Sequence, residues 1–487
     1  MINIALEGND NRYNTIDDQY LGSMVLQILQ YFYKQLKRYM KNYIIRNVQV
    51  INEGVIERKD VYMKNNRFER IEGTISLKER AEEIDGEHLY LLPGLIDDQV
   101  HFREPGLTHK ATIETEARAA VAGGVTSFME MPNVIPPTLN LERLDEKFQI
   151  AKHSSIANHS FFLGVSNDNA SDALKINKHK NEICGLKIFM GSSTGNMLVD
   201  NIVTLEKIFT ESEVLIATHC EKESIIRENI ERMKADGLDL NHARFHPVIR
   251  DVEACYESSI GAIQLAKKHG TRLHILHIST ERELQLFTNL FPLKDKRITA
   301  EVCVHHLYFT ADDYEQYGNL IKCNPAIKAA ENKEALWKAL LDDRLDIIAT
   351  DHAPHTWEEK QKPYVDAPAG VPLVQHSLLM LLEAHKEGRI SLEKLVEKAC
   401  HAPAVCFEVN ERGFIREGYF GDCVLVDLNK TTSVSKDTIL YKCGWSPFEG
   451  HTFSSSIDKT FVNGNLLFNQ GKQVDDVKGM RLSFDRN

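Results

Sequence analysis

Between residues 93 and 412, short apolar runs alternate with longer stretches whose apolar positions recur at helical spacing. The runs fall at 95–102, 125–131, 159–165, 185–190, 214–218, 273–277, 298–304 and 345–349. Such alternation is the signature of repeated βα units on a parallel sheet. Eight strands are the number that closes a (β/α)8, TIM-like barrel, so the chain reads as an α/β protein with that core. Two of the intervening helices are sharply bounded: 112–122 is Ala-rich and ends in Gly123-Gly124, and 251–268 is stopped by Gly270. On either side of the barrel segment 93–412, residues 40–92 and 413–487 show short strand patterns separated by Gly, Asn and Asp turns. Phe461-Val462-Asn463-Gly464-Asn465-Leu466-Leu467-Phe468 is one example. They predict one small β-sandwich domain composed from both ends of the chain.

The first 39 residues do not join this pattern. Residues 1–20 are polar with several acidic side chains, and 21–41 form an aromatic, Lys-rich helix candidate. Without a continuous apolar core or a small-residue cleavage site, it is not expected to be a signal peptide. A strand pattern starts directly after Met40, so residues 1–39 are expected to be an appended or upstream-start segment outside the fold.

The apolar runs lead into polar residues: His101 and Arg103, Asn133, Lys187, His219, His277, His305 with His306, and Asp351. In a (β/α)8 barrel the C-terminal strand ends carry the chemistry. Alternation along the first run also turns Gln99, His101 and Arg103 to the same side. A neutral imidazole ligates zinc, and a guanidinium offers a planar fork suited to a carboxylate. Each residue alone has an ordinary reading, as a hydrogen-bonded core histidine or a lysine snorkelling from a strand end. Three histidines, a lysine and an aspartate on separate strand ends together point to a metal site.

Composition narrows the partners. With 487 residues, 43% of them hydrophobic, there is material for a large core and an accessory domain. A net charge of −12 with scattered Lys and Arg argues against nucleic acid or an anionic membrane as partner, so local cations must hold any anionic substrate. The nine cysteines include no CxxC pair, and several sit in apolar runs such as Glu301-Val302-Cys303-Val304, which fits reduced thiols in a cytoplasmic protein. No uninterrupted apolar run approaches the length of a membrane span.

From about Met40 onward the chain resembles the amidohydrolase superfamily and, in its cyclic-amide hydrolase branch, the dihydroorotases. The resemblance is carried by His101-Phe102-Arg103-Glu104-Pro105-Gly106, Met131-Pro132-Asn133 and Thr350-Asp351-His352-Ala353-Pro354-His355. It implies zinc-dependent, reversible hydrolysis of L-dihydroorotate to N-carbamoyl-L-aspartate. His101 and Asp351 would ligate a first zinc, His219 and His277 a second, and Lys187, carboxylated on its amine, would bridge the two. Asp351 would also move the catalytic proton. Arg103, Asn133 and His355 would hold the substrate carboxylate, with Asn324 and the backbone of Ala369 and Gly370 reading the ring amides. Asn324 has the alternative of a plain Asx turn before Pro325. His305 and His306 match no ligand and read as supporting or structural groups. The loop Gly191-Ser192-Ser193-Thr194-Gly195-Asn196 reads equally as a closing loop or an ordinary βα connection.

One position departs from the family pattern. Most members have a histidine where this chain has Gln99, and an amide oxygen is a weaker zinc donor than imidazole. One or two zinc ions are therefore expected, two being favoured with the first site weakened. The rival readings are another cyclic-amide hydrolase, of allantoinase or dihydropyrimidinase type, and a non-catalytic dihydroorotase-like assembly partner. The expected partner is a small-molecule substrate, and a homodimer is left open.

Overall fold

In the computed structural model, which describes residues 41–191 and 197–486, the eight apolar runs become eight parallel strands. In chain order they are Leu95–Val100, Val125–Glu130, Asn158–Gly164, Gly185–Phe189, Ile216–His219, Leu273–Ile275, Ile298–Cys303 and Ile347–Ala349. Each pairs with its sequence neighbour. The ring closes where Val100 bridges His352 in parallel and the His101 N–H donates to the His352 carbonyl at 2.7 Å. The strands are buried on both faces, which is why they read as continuous apolar runs.

The helices follow their end signals. Ile113–Ala122 begins at Thr112, whose side chain accepts from the Thr115 N–H in a capping box. Val252–His269 is capped by Asp251 and terminated by Gly270 in the left-handed conformation at φ 67°. The expectation for residues 1–39 falls outside the described residues, as do positions 192–196 of the polar loop.

Both chain ends meet in one nine-stranded sheet. Its seam is the antiparallel pairing of Tyr90–Pro93 with Cys423–Asp427, with Leu91 opposite Leu425. Val61, Phe68, Leu91, Leu425 and Phe461 form its core. Only Gly94 separates this sheet from the first barrel strand. A Cβ at Gly94 would meet Thr126 Oγ1 at 2.1 Å, so the close approach requires glycine there.

A buried polar knot ties sheet to barrel. Asp422 pairs with Arg412 and accepts from Asn158 Nδ2 of the third barrel strand at 3.2 Å and from the Asn463 N–H at 2.7 Å. Removing one partner of such a pair strands a charge in the interior. Asp422→Ala is therefore expected to destabilise the fold by about 3–5 kcal/mol, read as a lowered urea midpoint.

Candidate active site

At the C-terminal end of the barrel lies a cavity of about 330 Å³. Its walls bring together His101, Lys187, His219, His277, Asp351, Arg103, Asn133, Asn324, His355, Ala369, Gly370 and Gln99. Phe189, Arg250, Ala353 and Pro368 complete the lining.

Three of these side chains are aimed by unusual backbone. Arg103, His277 and Asp351 have φ of 68°, 40° and 48°, a region non-glycine residues rarely adopt. Each sits just beyond a strand end, where the chain must turn sharply to keep its side chain over the barrel mouth. The first turn is held by Glu130, whose Oε1 accepts the Phe102 N–H at 2.9 Å while Oε2 pairs with Lys147 at 2.8 Å, both side chains fully buried.

The imidazoles are arranged as donors to a cation. The Asn133 Oδ1 lies 2.8 Å from His101 Nδ1, and because a carboxamide oxygen only accepts, the ring hydrogen belongs on Nδ1. His101 Nε2 then presents a lone pair to Asp351 Oδ1, 3.1 Å away. Across the cavity, His219 Nδ1 and His277 Nε2 face each other at 3.0 Å. Glu221 Oε2 is 3.0 Å from His219 Nε2 and favours the hydrogen on that side. Burial lowers the pKa of His101, and burial together with His219 and Lys187 pushes that of His277 well down, so both rings are held neutral. With the His277 hydrogen on Nδ1, both pairs would turn lone pairs toward one another, and their separations approach the tetrahedral edge of about 3.3 Å implied by zinc–nitrogen bonds, so the residues fit a cation at either place.

Lys187 lies between the pairs with its Nζ buried and without a hydrogen-bond partner, over the Phe189 ring at 4.5 Å. Burial lowers its pKa to about 7, so much of the amine is neutral near physiological pH. A neutral, unpartnered amine suits carboxylation, which would turn it into an anionic oxygen donor. The chemistry of this donor set fits a metal centre.

Gln99 does not present its oxygen to these donors. Its Nε2 donates to Asp351 Oδ1 at 3.1 Å, and its Oε1 lies toward the Cys303 thiol at 3.7 Å.

Another part of the wall is built on Arg103. Its Nε donates to the Pro354 carbonyl at 3.1 Å, and Nη2 lies 3.1 Å from His355 Nε2. Burial lowers the guanidinium pKa to about 10, which leaves it charged at neutral pH. Asn324 keeps a buried Oδ1 without a partner. His305 and His306 stay outside the cavity lining; His306 Nε2 is 3.1 Å from the Pro325 carbonyl.

Several supporting residues carried no recognisable sequence signal. Lys360, one turn beyond His355, is buried and donates to the carbonyls of Lys322, Pro368 and Gly370 at 3.2, 3.0 and 2.9 Å. Lys322 in turn donates to Tyr364 and Ala367. Together they shape the Pro368-Ala369-Gly370 wall. Arg250 joins Glu221, and although burial works to raise that carboxyl, Arg250 and His219 outweigh it and hold the pKa near 2. An isolated Lys or Arg on a loop resembles any solvated cation in the sequence. Two further buried donor clusters, Asp98–His274–Glu301 and Cys303–His305–His306, share no residue with the predicted ligand set but border it: Glu301 Oε1 accepts the His277 N–H at 3.0 Å, and the Cys303 thiol faces Gln99.

Gly370 has φ 148°, and an added Cβ would stand 2.3 Å from the Ala353 oxygen and 2.9 Å from His355 Cδ2. Gly370→Ala is expected to cost about 1–3 kcal/mol of stability by overpacking and to displace His355, read by urea unfolding and ligand titration on the same variant.

Comparisons place this geometry among known proteins. A dihydroorotase of Methanosphaera stadtmanae is 30% identical over 433 residues, covering 88% of this chain and 96% of that one. A dihydroorotase of Carboxydothermus hydrogenoformans is 32% identical over 428 residues, 87% and 96% of the two chains. The L-hydantoinase (dihydropyrimidinase) of Arthrobacter aurescens superposes with a TM-score of 0.85 at 26% identity, over 91% of this chain and all of that one. The sequence model described as the amidohydrolase family matches residues 90–467, most of the chain and the whole barrel, and the protein belongs to that family.

Proposed function

We propose that the protein is a dihydroorotase, catalysing reversible hydrolysis of L-dihydroorotate to N-carbamoyl-L-aspartate. The carrying observation is the buried Arg103 guanidinium in the same cavity as the paired donors: a carboxylate clamp beside a metal centre. A neutral cyclic amide has no carboxylate to neutralise that charge, which disfavours the hydantoinase-type reading despite the similar fold. The relatives that are dihydroorotases support the same choice.

In this reading His101 and Asp351 would hold one zinc ion and His219 and His277 another, and Lys187, once carboxylated, would supply an anionic oxygen donor to the centre. Zinc bound there supplies Lewis-acid polarisation of the ring carbonyl and lowers the pKa of water toward about 7. Arg103, with Asn133 and His355, holds the substrate carboxylate and thereby fixes the ring over the donors. Asn324 and the Ala369-Gly370 backbone orient the ring amide. Asp351 takes the proton from the attacking water and delivers it to the leaving ring nitrogen; ring closure reverses both transfers. Its carboxylate is positioned for this by the Gln99 Nε2 donor on Oδ1.

The test is dihydroorotate hydrolysis, followed by ultraviolet absorbance, on protein whose zinc content is measured in the same sample. Wild type is expected to turn over. Asp351→Asn should fold normally and lose about 10²–10⁴ of the rate, and Arg103→Ala should chiefly raise KM. Zinc-replete wild type without turnover would overturn the reading.

Gln99 adds a second expectation. Because its amide nitrogen occupies Asp351 Oδ1, Gln99→His should restore an imidazole donor and raise zinc retention against a chelator by about tenfold or more. Equal retention in both proteins would show that position 99 lies outside the metal sphere.

A further inference from the structure

Lys110, in Thr108-His109-Lys110-Ala111, stands behind the cavity wall. Its Nζ is 3.0 Å from His355 Nδ1 and 3.1 Å from Glu359 Oε1, and its side chain is largely buried. Glu359 is itself fixed, because its Oε2 accepts the Thr356 N–H at 3.0 Å in a helix capping box.

A lysine amine in its ammonium form only donates, and at 3.0 Å it outweighs Glu359 Oε2, an acceptor 3.6 Å from the same Nδ1, so Nδ1 accepts and the ring hydrogen sits on Nε2. The other end of the ring agrees: Nε2 is 3.0 Å from the Ala369 carbonyl, which only accepts. This has a consequence for Arg103. Its Nη2 lies 3.1 Å from the same Nε2, but a guanidinium has no lone pair to offer an N–H. Arg103 is therefore anchored through Nε on Pro354, while the Nη2 hydrogen directed at Nε2 finds no lone pair there and is left for an anion. In the opposite tautomer Nε2 would accept from Nη2, capping the clamp and abandoning the Ala369 carbonyl.

We infer that Lys110, braced by Glu359, is a positioning residue that fixes the His355 tautomer and keeps the Arg103 fork open for an anionic substrate. The inference rests on the carboxylate-bearing substrate proposed above. Lys110 touches neither substrate nor metal donors in this scheme. Its effect passes through His355 and then Arg103, and it belongs to binding of the carboxylate rather than to proton transfer.

The experiment compares wild type, Lys110→Met and Lys110→Arg as zinc-loaded full-length protein. Calorimetric titration uses orotate, a planar ring with the carboxylate, and uracil, the same ring without it. Lys110→Met should weaken orotate about tenfold and leave uracil unchanged. Lys110→Arg, which keeps a donor, should recover most of the loss. The KM for dihydroorotate should rise by the same factor as orotate weakens, with kcat held within about twofold. In ¹⁵N-histidine spectra, the His355 signals, assigned by their absence in His355→Gln, should show Nε2–H in wild type and a mixture in Lys110→Met.

Unchanged orotate binding in Lys110→Met, equal losses for orotate and uracil, failure of Arg to rescue, or an unaltered tautomer would each overturn the positioning role. Wild type that hydrolyses dihydroorotate while the Lys110 variants match it overturns this inference alone. Lys110-dependent orotate binding without hydrolysis overturns the proposed activity and leaves the clamp mechanism standing. Wild type that fails to bind orotate overturns both.

Discussion

Closure of the barrel between its eighth and first strands is the constraint on which the site depends. The His101 N–H to His352 carbonyl bond places the end of the first strand against the end of the last. That contact brings His101 Nε2 to 3.1 Å from Asp351 Oδ1, residues 250 positions apart in the chain. It also sets Arg103 beside Pro354 and His355. Without closure neither the His101–Asp351 pair nor the contacts of Arg103 with Pro354 and His355 would form.

Around this seam the protein spends buried charge on aim. Glu130 with Lys147 holds the turn between His101 and Arg103. Glu221 with Arg250 backs His219. Lys360 and Lys322 gather carbonyls from the Tyr364–Gly370 region into one wall. A buried ion pair contributes little net stability over an apolar substitute, because desolvation offsets its attraction. Its value here is geometric: a charge-assisted contact tolerates only a narrow range of positions, and the side chains it holds must meet ligands to within fractions of an ångström. The same burial tunes the chemistry. It shifts Lys187 toward the neutral amine and keeps His101 and His277 as lone-pair donors, while Arg103 retains its charge.

Gln99 shows how one substitution redistributes such a site without dismantling it. Its amide nitrogen satisfies one carboxylate oxygen of Asp351, and its oxygen turns toward Cys303 instead of the opposed donors. The remaining donors keep their spacing because each is held by its own strand end and its own buried partner. The change falls on the first pair, where an amide hydrogen is directed at Asp351 Oδ1.

Much of this architecture was legible in the order of residues. The apolar runs marked all eight strands because parallel strands buried on both faces are largely apolar along their length. Thr112, Asp251 and Gly270 marked helix ends because capping is a local hydrogen-bond requirement. His101, Lys187, His219, His277 and Asp351 stood out because a strand end is a local feature and a titratable group there is unusual. That the two chain ends build one small β-domain was anticipated, as a sandwich, from their matching strand patterns, but their joining in one nine-stranded sheet and the register of Leu91 against Leu425 were not. Tertiary structure alone decided which nitrogen of each imidazole faces a donor, since that depends on Asn133, Glu221 and Lys110 arriving from other segments. It also decided the roles of Lys110, Arg250, Lys322 and Lys360. A cation's function is set by the acceptors around it, and those acceptors are brought together only when the barrel closes.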